Sequence, residues 1–229
     1  MKDWVTKYMT LGFKRALGEL SREWTMQRKH VRGWRKARGT YAGARNLKLH
    51  VGCGSNYKQG WVNIDLFNPT ADVALDLREA FPFPDASVSF IYSEHVLEHF
   101  EYPRDVRHIL QECFRVLAPG GVFSIGVPDH GVVATAYATR DTSFFQERRL
   151  RSYLREGDTT LMHHINYNFR QDGLHKYSYD EETLRQILER VGFVEIERRG
   201  FDPSLDSAKR NLSGTLYMQA RKPSAISAQ

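Results

Sequence analysis

Two glycines and a carboxylate hold the first hint of chemistry. The apolar run Leu47–Val51 stops at Gly52-Cys53-Gly54, and a second run from Gly60 ends in Asp65-Leu66. Glycine at the end of a buried strand lets the backbone bend sharply and come within contact distance of a ligand. A carboxylate at the tip of the neighbouring strand is placed to accept hydrogen bonds from two ribose hydroxyls. Later apolar runs also close on polar groups: Asp76-Leu77, Ser93-Glu94-His95 and Asp129-His130. Gly-x-Gly alone is weak evidence, because glycine pairs also end ordinary strands. The acidic strand end and the order of the later elements give it weight.

For these residues to meet, parallel strands must bring their ends to one edge. The 229 residues, 41% hydrophobic, suit one domain with a proper core. Strands are expected at Leu47–Val51, Gly60–Leu66, Ala71–Leu77, Val88–Tyr92 and Val122–Val127. A helix opening follows at Ser93–Phe100, then a helix over Pro103–Val116, and another over Asp180–Val191 closed by Gly192. Val194–Arg198 and Thr215–Ala220 read as a closing antiparallel pair. Alternating strands and helices with ligand-type residues at strand ends imply a doubly wound α/β sheet. Only Ser55–Gln59 separates the glycine turn from the second strand, too short for a crossover helix, and Tyr57 and Trp61 are candidates to fill the gap.

Charge divides the chain. Residues 1–45 carry 12 Lys/Arg against 3 Asp/Glu, although the whole chain is only +6. Val5, Met9, Phe13, Leu17, Leu20 and Trp24 recur at helical spacing, with Lys2, Lys7, Lys14, Arg15, Arg22 and Arg28 largely elsewhere, and Gly33 and Gly39 are expected to loosen the helix. Packing on the protein's own body is the favoured use of that stripe; a lid, a dimer contact and an anionic membrane face are others. No run reaches the roughly 20 apolar residues of a membrane span, and no leader pattern is visible. The cytoplasm is the expected location, at the inner membrane face if the arm binds lipid. Cys53 and Cys113 have no zinc-type spacing and are expected to be reduced thiols.

Val51-Gly-Cys-Gly54, Asp65, Pro82-Phe-Pro-Asp85, Ser93-Glu-His-Val-Leu-Glu-His99 and Arg115-Val-Leu-Ala-Pro-Gly-Gly121, in that order, resemble the motifs of class I S-adenosylmethionine-dependent methyltransferases. The likeness is nearest to the type 11 group, and within it to bacterial enzymes associated with surface glycans. It covers about residues 46–128. It implies a Rossmann-like, mostly parallel seven-stranded sheet for the enzyme domain at 46–223. The residues themselves add a basic helical arm at 1–45, a break in the strand–helix rhythm at about 130–175 where a substrate cap is expected, and a loose tail at 224–229. The resemblance also implies S-adenosyl-L-methionine as cofactor and S-adenosyl-L-homocysteine as product. Gly52, Cys53 and Gly54 would then hold the methionine moiety, Asp65 and Leu66 the ribose, Asp76 and Leu77 the adenine, and Ser93 and Glu94 the methionine end.

Methyl transfer needs mainly an in-line arrangement, with a general base where the acceptor is a hydroxyl. His95 is the first candidate base, then His130 and Asp129. His95, Glu98 and His99 also share a helix face that could grip a divalent metal, but such residues more often form a structural hydrogen-bonded pair, so no metal is assigned. His163, His164, Tyr167, Phe169, Arg170, His175 and Lys176 would build the acceptor side, and the cations there suit a phosphate or carboxylate. A small-molecule, glycan or glycolipid acceptor is expected. An RNA methyltransferase using the basic arm and a non-catalytic cofactor-binding protein are the alternatives. No RNA-binding module is visible.

Overall fold

A computed structural model describes residues 9–146, 154–157, 159–211 and 214–224. Lys2, Val5 and Lys7 of the arm, and the tail beyond 224, lie outside the described residues.

Helix α1 runs Leu11–Tyr41, and the Thr10 hydroxyl caps it by accepting from the Phe13 amide at 3.3 Å. Its packing differs from expectation. Phe13, Leu17, Leu20 and Trp24 are exposed, and the docked face is Met26, His30, Trp34 and Ala37. The Trp34 indole donates to the Ala80 carbonyl at 2.9 Å. Gly33 and Gly39 do not loosen the helix. A Cβ on Gly33 would collide with the Ala74 carbonyl, so glycine there serves close approach of helix to chain.

Strands β1 (Leu47–Val51), β2 (Val62–Ile64), β3 (Val88–Glu94), β4 (Leu117–Pro128), β5 (Val194–Arg198) and β6 (Thr215–Arg221) form one mixed sheet in the order β2-β1-β3-β4-β6-β5. The first four are parallel neighbours, and β6 runs antiparallel to both β4 and β5. Among the described residues six strands are present rather than seven. The expected strand over Ala71–Leu77 is reduced to one parallel bridge, Ile64 to Val73. The Asn63 carbonyl accepts from both the Asp72 and Val73 amides, which breaks the ladder spacing at that edge.

The clipped connection before β2 is organised by the Asn63 side chain. Its Oδ1 accepts from the Lys58 amide at 2.8 Å, and its Nδ2 donates to the Lys58 and Trp61 carbonyls. Tyr57 remains exposed and bonds to Asp72, while Trp61 meets Phe90 edge-on. Helices α2 (Arg104–Val116) and α6 (Glu181–Val191) bury Val106, Ile109, Leu110, Leu184, Ile187 and Leu188 in the sheet's core. Asp180 caps α6 through the Thr183 amide, and Gly192, at φ +109°, ends it.

The described residues of the insertion are largely helical. Helices α3 (His130–Ala138), α4 (Thr142–Gln146) and α5 (Leu161–Arg170) enclose a second small core of Val133, Ala136 and Phe145, against which Leu161, Ile165 and Phe169 pack. Helix α7 (Ala208–Asn211) precedes β6.

Candidate active site

The chain passes from β1 outward to β2, then returns across β1 to β3. Its winding therefore reverses between β1 and β3, where a doubly wound sheet opens a crevice beyond the strand ends. Gly52 and Gly54 leave β1 there with φ of +68° and +50°, and a Cβ on Gly52 would strike the Val96 side chain just after β3. The turn is pinned from β2. Asp65 Oδ2 accepts from the Gly54 amide at 2.9 Å, and Oδ1 accepts from Phe67 and Asn68 amides at 2.8 Å. A carboxylate offers about four acceptor positions, so one stays open for a ligand hydroxyl.

A cavity of about 880 Å³ opens beside this turn. Gly52, Cys53, Gly54, Asp65, Leu66, Asp76, Leu77, Glu94 and His95 all line it. Ser93 does not; it is a buried strand residue paired with Val51 and Ile125. Asp76 is clasped by Arg78 through both carboxylate oxygens. Burial opposes its charge, but the Arg78 side chain and amide hold its carboxyl below the usual range. Burial pushes the Glu94 carboxyl up, although it accepts from the Tyr217 hydroxyl at 3.0 Å and from the Ser207 amide.

The three candidate bases are differently placed. His95 lines the cavity, yet both its ring nitrogens face protein groups. Nε2 lies 2.9 Å from the Thr215 hydroxyl and Nδ1 lies 3.3 Å from buried Glu98. Thr215 gives its single hydroxyl proton to the Arg210 carbonyl at 2.8 Å, so His95 Nε2 is the donor. Asp129 lies outside the cavity, capping α3 through the Val132 amide and pairing with Arg198 at 3.2 Å. His130 is also outside: Nε2 donates to the Asn168 carbonyl and Nδ1 accepts from the Tyr179 amide. Each spends its polar atoms on the fold.

Of the expected acceptor residues, only Lys176 lines the cavity. His163 closes a capping box with Thr160, and His164 is buried against Phe145. Tyr167 and Phe169 sit on α5, with Phe169 in the second core, and Arg170 is exposed. His175 instead meets His99 edge-on. The expected helix at Ser93–Phe100 is also changed. β3 continues to Glu94, and only a 3₁₀ turn, Leu97–His99, follows.

Several cavity residues carried no obvious signal. Arg22, Glu23 and Met26 form a wall from α1, where Glu23 pairs with Arg78 at 3.0 Å and His30 Nδ1 accepts from the Asp76 amide. The Met26–His30–Trp34–Ala37 spacing could have exposed that docking face. His50 is buried in β1, donating from Nδ1 to Asn63 at 3.3 Å. Away from the cavity, half-buried Arg199 pairs with buried Asp206 at 2.6 Å, and Tyr92 joins them; no local pattern announces this group.

Residues 49–125 match a family described as a methyltransferase domain, a span that holds the glycine turn, Asp65, Asp76 and Glu94. A Mycolicibacterium smegmatis protein described as a "probable S-adenosylmethionine-dependent methyltransferase" is 39% identical over 61 residues. That stretch is 27% of this chain and 23% of the relative, so the chain matches about a quarter of that protein's length. The first match makes residues 49–125 similar to methyltransferase domains, and the second is a likeness to an S-adenosylmethionine-dependent enzyme over a quarter of its length. Among solved structures, an Archaeoglobus fulgidus S-adenosylmethionine-dependent methyltransferase is 17% identical with a TM-score of 0.46, covering 88% of this chain and 94% of its own. Haemonchus contortus phosphoethanolamine N-methyltransferase 2, solved with S-adenosyl-L-methionine, is 14% identical with a TM-score of 0.46, covering 79% and 49%.

Proposed function

We propose that this protein is an S-adenosylmethionine-dependent methyltransferase whose acceptor is a small molecule or a glycan, methylated on a hydroxyl. One observation carries the cofactor reading. The β1 turn, free of side-chain bulk at Gly52 and Gly54, is bonded to the acidic end of β2 and opens on a cavity of about 880 Å³. S-adenosylmethionine fits this donor set and supplies an already activated methyl group. Gly52–Gly54 would take its methionine part, Asp65 the ribose and Asp76-Leu77 the adenine, while Glu94 lines the methionine end. The chain's work is then to position and to exclude water. Arg104 and Lys176 on the cavity wall favour an acceptor with an anionic group.

The outer half of α1 supports a second role at an anionic membrane surface. Phe13, Leu17, Leu20 and Trp24, at i, i+4, i+7 and i+11, share one exposed face of a basic helix. No helix among the described residues is long and apolar enough to cross a membrane.

Calorimetric titration with S-adenosylmethionine and S-adenosylhomocysteine tests the cofactor reading, and absence of binding to folded protein sinks it. Homocysteine-nucleoside release, assayed across hydroxyl-bearing small molecules and glycans, tests the acceptor class. Release only with RNA would replace it.

A further inference from the structure

A group of side chains behind the cavity wall, reaching it through His99, has no part in the nucleoside site. His99 donates Nδ1–H to the Leu174 carbonyl at 3.1 Å, and His175 donates Nδ1–H to the Asn168 carbonyl at 3.0 Å. A carbonyl can only accept, so the lone pair of each ring is on Nε2. His99 Nε2 lies 3.9 Å from Glu98 Oε1, and Glu98, His99 and His175 bring one ligand-type atom each to within 4.8 Å of the others. Glu98 is fully buried, and neither carboxylate oxygen accepts a well-formed hydrogen bond. Among the described residues its ion-pair neighbours are only imidazoles: His95 Nδ1 at 3.3 Å, off the hydrogen-bond line, and His99. A buried carboxylate facing ring lone pairs is costly unless a cation joins them.

The surroundings fix the trio. The Lys176 amide donates to the Glu98 carbonyl at 2.7 Å and stitches the two ligand segments together. The Asn168 carbonyl also takes His130 Nε2–H at 2.9 Å, which holds α5 against the same ring. An imidazole that gives its far N–H to a carbonyl is the usual second contact of a metal-bound histidine.

We propose that Glu98, His99 and His175 form a divalent transition-metal site of two imidazoles and one carboxylate, suited to Zn²⁺. Three protein ligands leave at least one coordination position open. His99 lines the cavity, so the trio adjoins its wall. Resting on the methyltransferase reading, the metal would hold an oxygen or sulfur of the acceptor; metal binding itself needs no such reading.

The test uses the full chain, stripped with a chelator and dialysed against Zn²⁺, with metal content measured per chain. Co²⁺ substitution gives an independent visible absorption readout. One Zn²⁺ per chain, Co²⁺ bands from nitrogen and oxygen ligands, and a loss of affinity of about tenfold or more in His99→Ala and His175→Ala are expected. His99 is 41% exposed in its side chain, so its variant is the safer one for folding, checked by circular dichroism. Absence of stoichiometric uptake by the folded wild type, or uptake unchanged in both variants, overturns the site. Calorimetry with S-adenosylmethionine on the metal-free protein reads the cofactor site separately.

Discussion

Asp65 has two tasks that a single substitution separates. Its carboxylate holds three backbone amides of the surrounding turns, and on the proposed reading it also receives a ribose hydroxyl. Asp65→Ala is expected to weaken S-adenosylmethionine binding by about 1–3 kcal/mol in calorimetry, with a lower melting temperature because the turn loses its acceptors. Unchanged affinity would remove Asp65 from the site. His50 bears on acid stability. Burial first, and Lys58 second, lower its pKa to about 4, so the folded protein keeps the ring neutral where the unfolded chain protonates it. The unfolded state therefore binds the extra proton between about pH 6.5 and 4. Stability falls as pH drops through that window, by on the order of 3 kcal/mol in full. His50→Gln should flatten that part of the denaturant-midpoint profile; an unchanged slope would assign the acid loss to other groups. The glycines and Asp65 were legible because strand-end chemistry is written in adjacent residues. The commitments of His130 and Asp129 were not, because their partners, Asn168, Tyr179 and Arg198, come from distant elements.

At the scale of elements, α1 matters most for the site. Its middle turns close the cavity through Arg22, Glu23 and Met26, and Gly33 permits the docking of the turns that follow. Gly33→Leu should push the helix away from Ala74, lower stability by about 1–3 kcal/mol, and weaken cofactor binding in the same samples. Retained affinity alongside lost stability would show that the α1 wall does not touch the ligand. Periodicity announced this helix but named the wrong face. The larger residues Phe13, Leu17, Leu20 and Trp24 drew the eye, while the docked face uses Met26, His30 and Ala37, whose apolar signal is weaker. The cap was misread for a related reason. Its helices are short and bury few residues each, so no single one shows a clear stripe, and Phe145 becomes central only when α3, α4 and α5 come together.

For the molecule as a whole, the exposed stripe on the outer half of α1 is the feature the catalytic body does not use. Wild-type protein is expected to float with vesicles containing anionic lipid and not with zwitterionic ones, and the binding should weaken as salt rises. Leu17→Glu with Trp24→Glu should abolish flotation while leaving S-adenosylmethionine affinity within about twofold, since both residues are solvent-facing and neither lines the cavity. Equal flotation by the double variant would dismiss the lipid role.

One continuous helix thus runs from pocket wall to exposed face. If a bilayer gripping the outer turns favours the docked pose of the inner turns, thermodynamic reciprocity follows. The factor by which the bilayer tightens nucleoside binding must equal the factor by which the nucleoside tightens adhesion. Two unequal factors would mean that the two halves of α1 act as separate pieces.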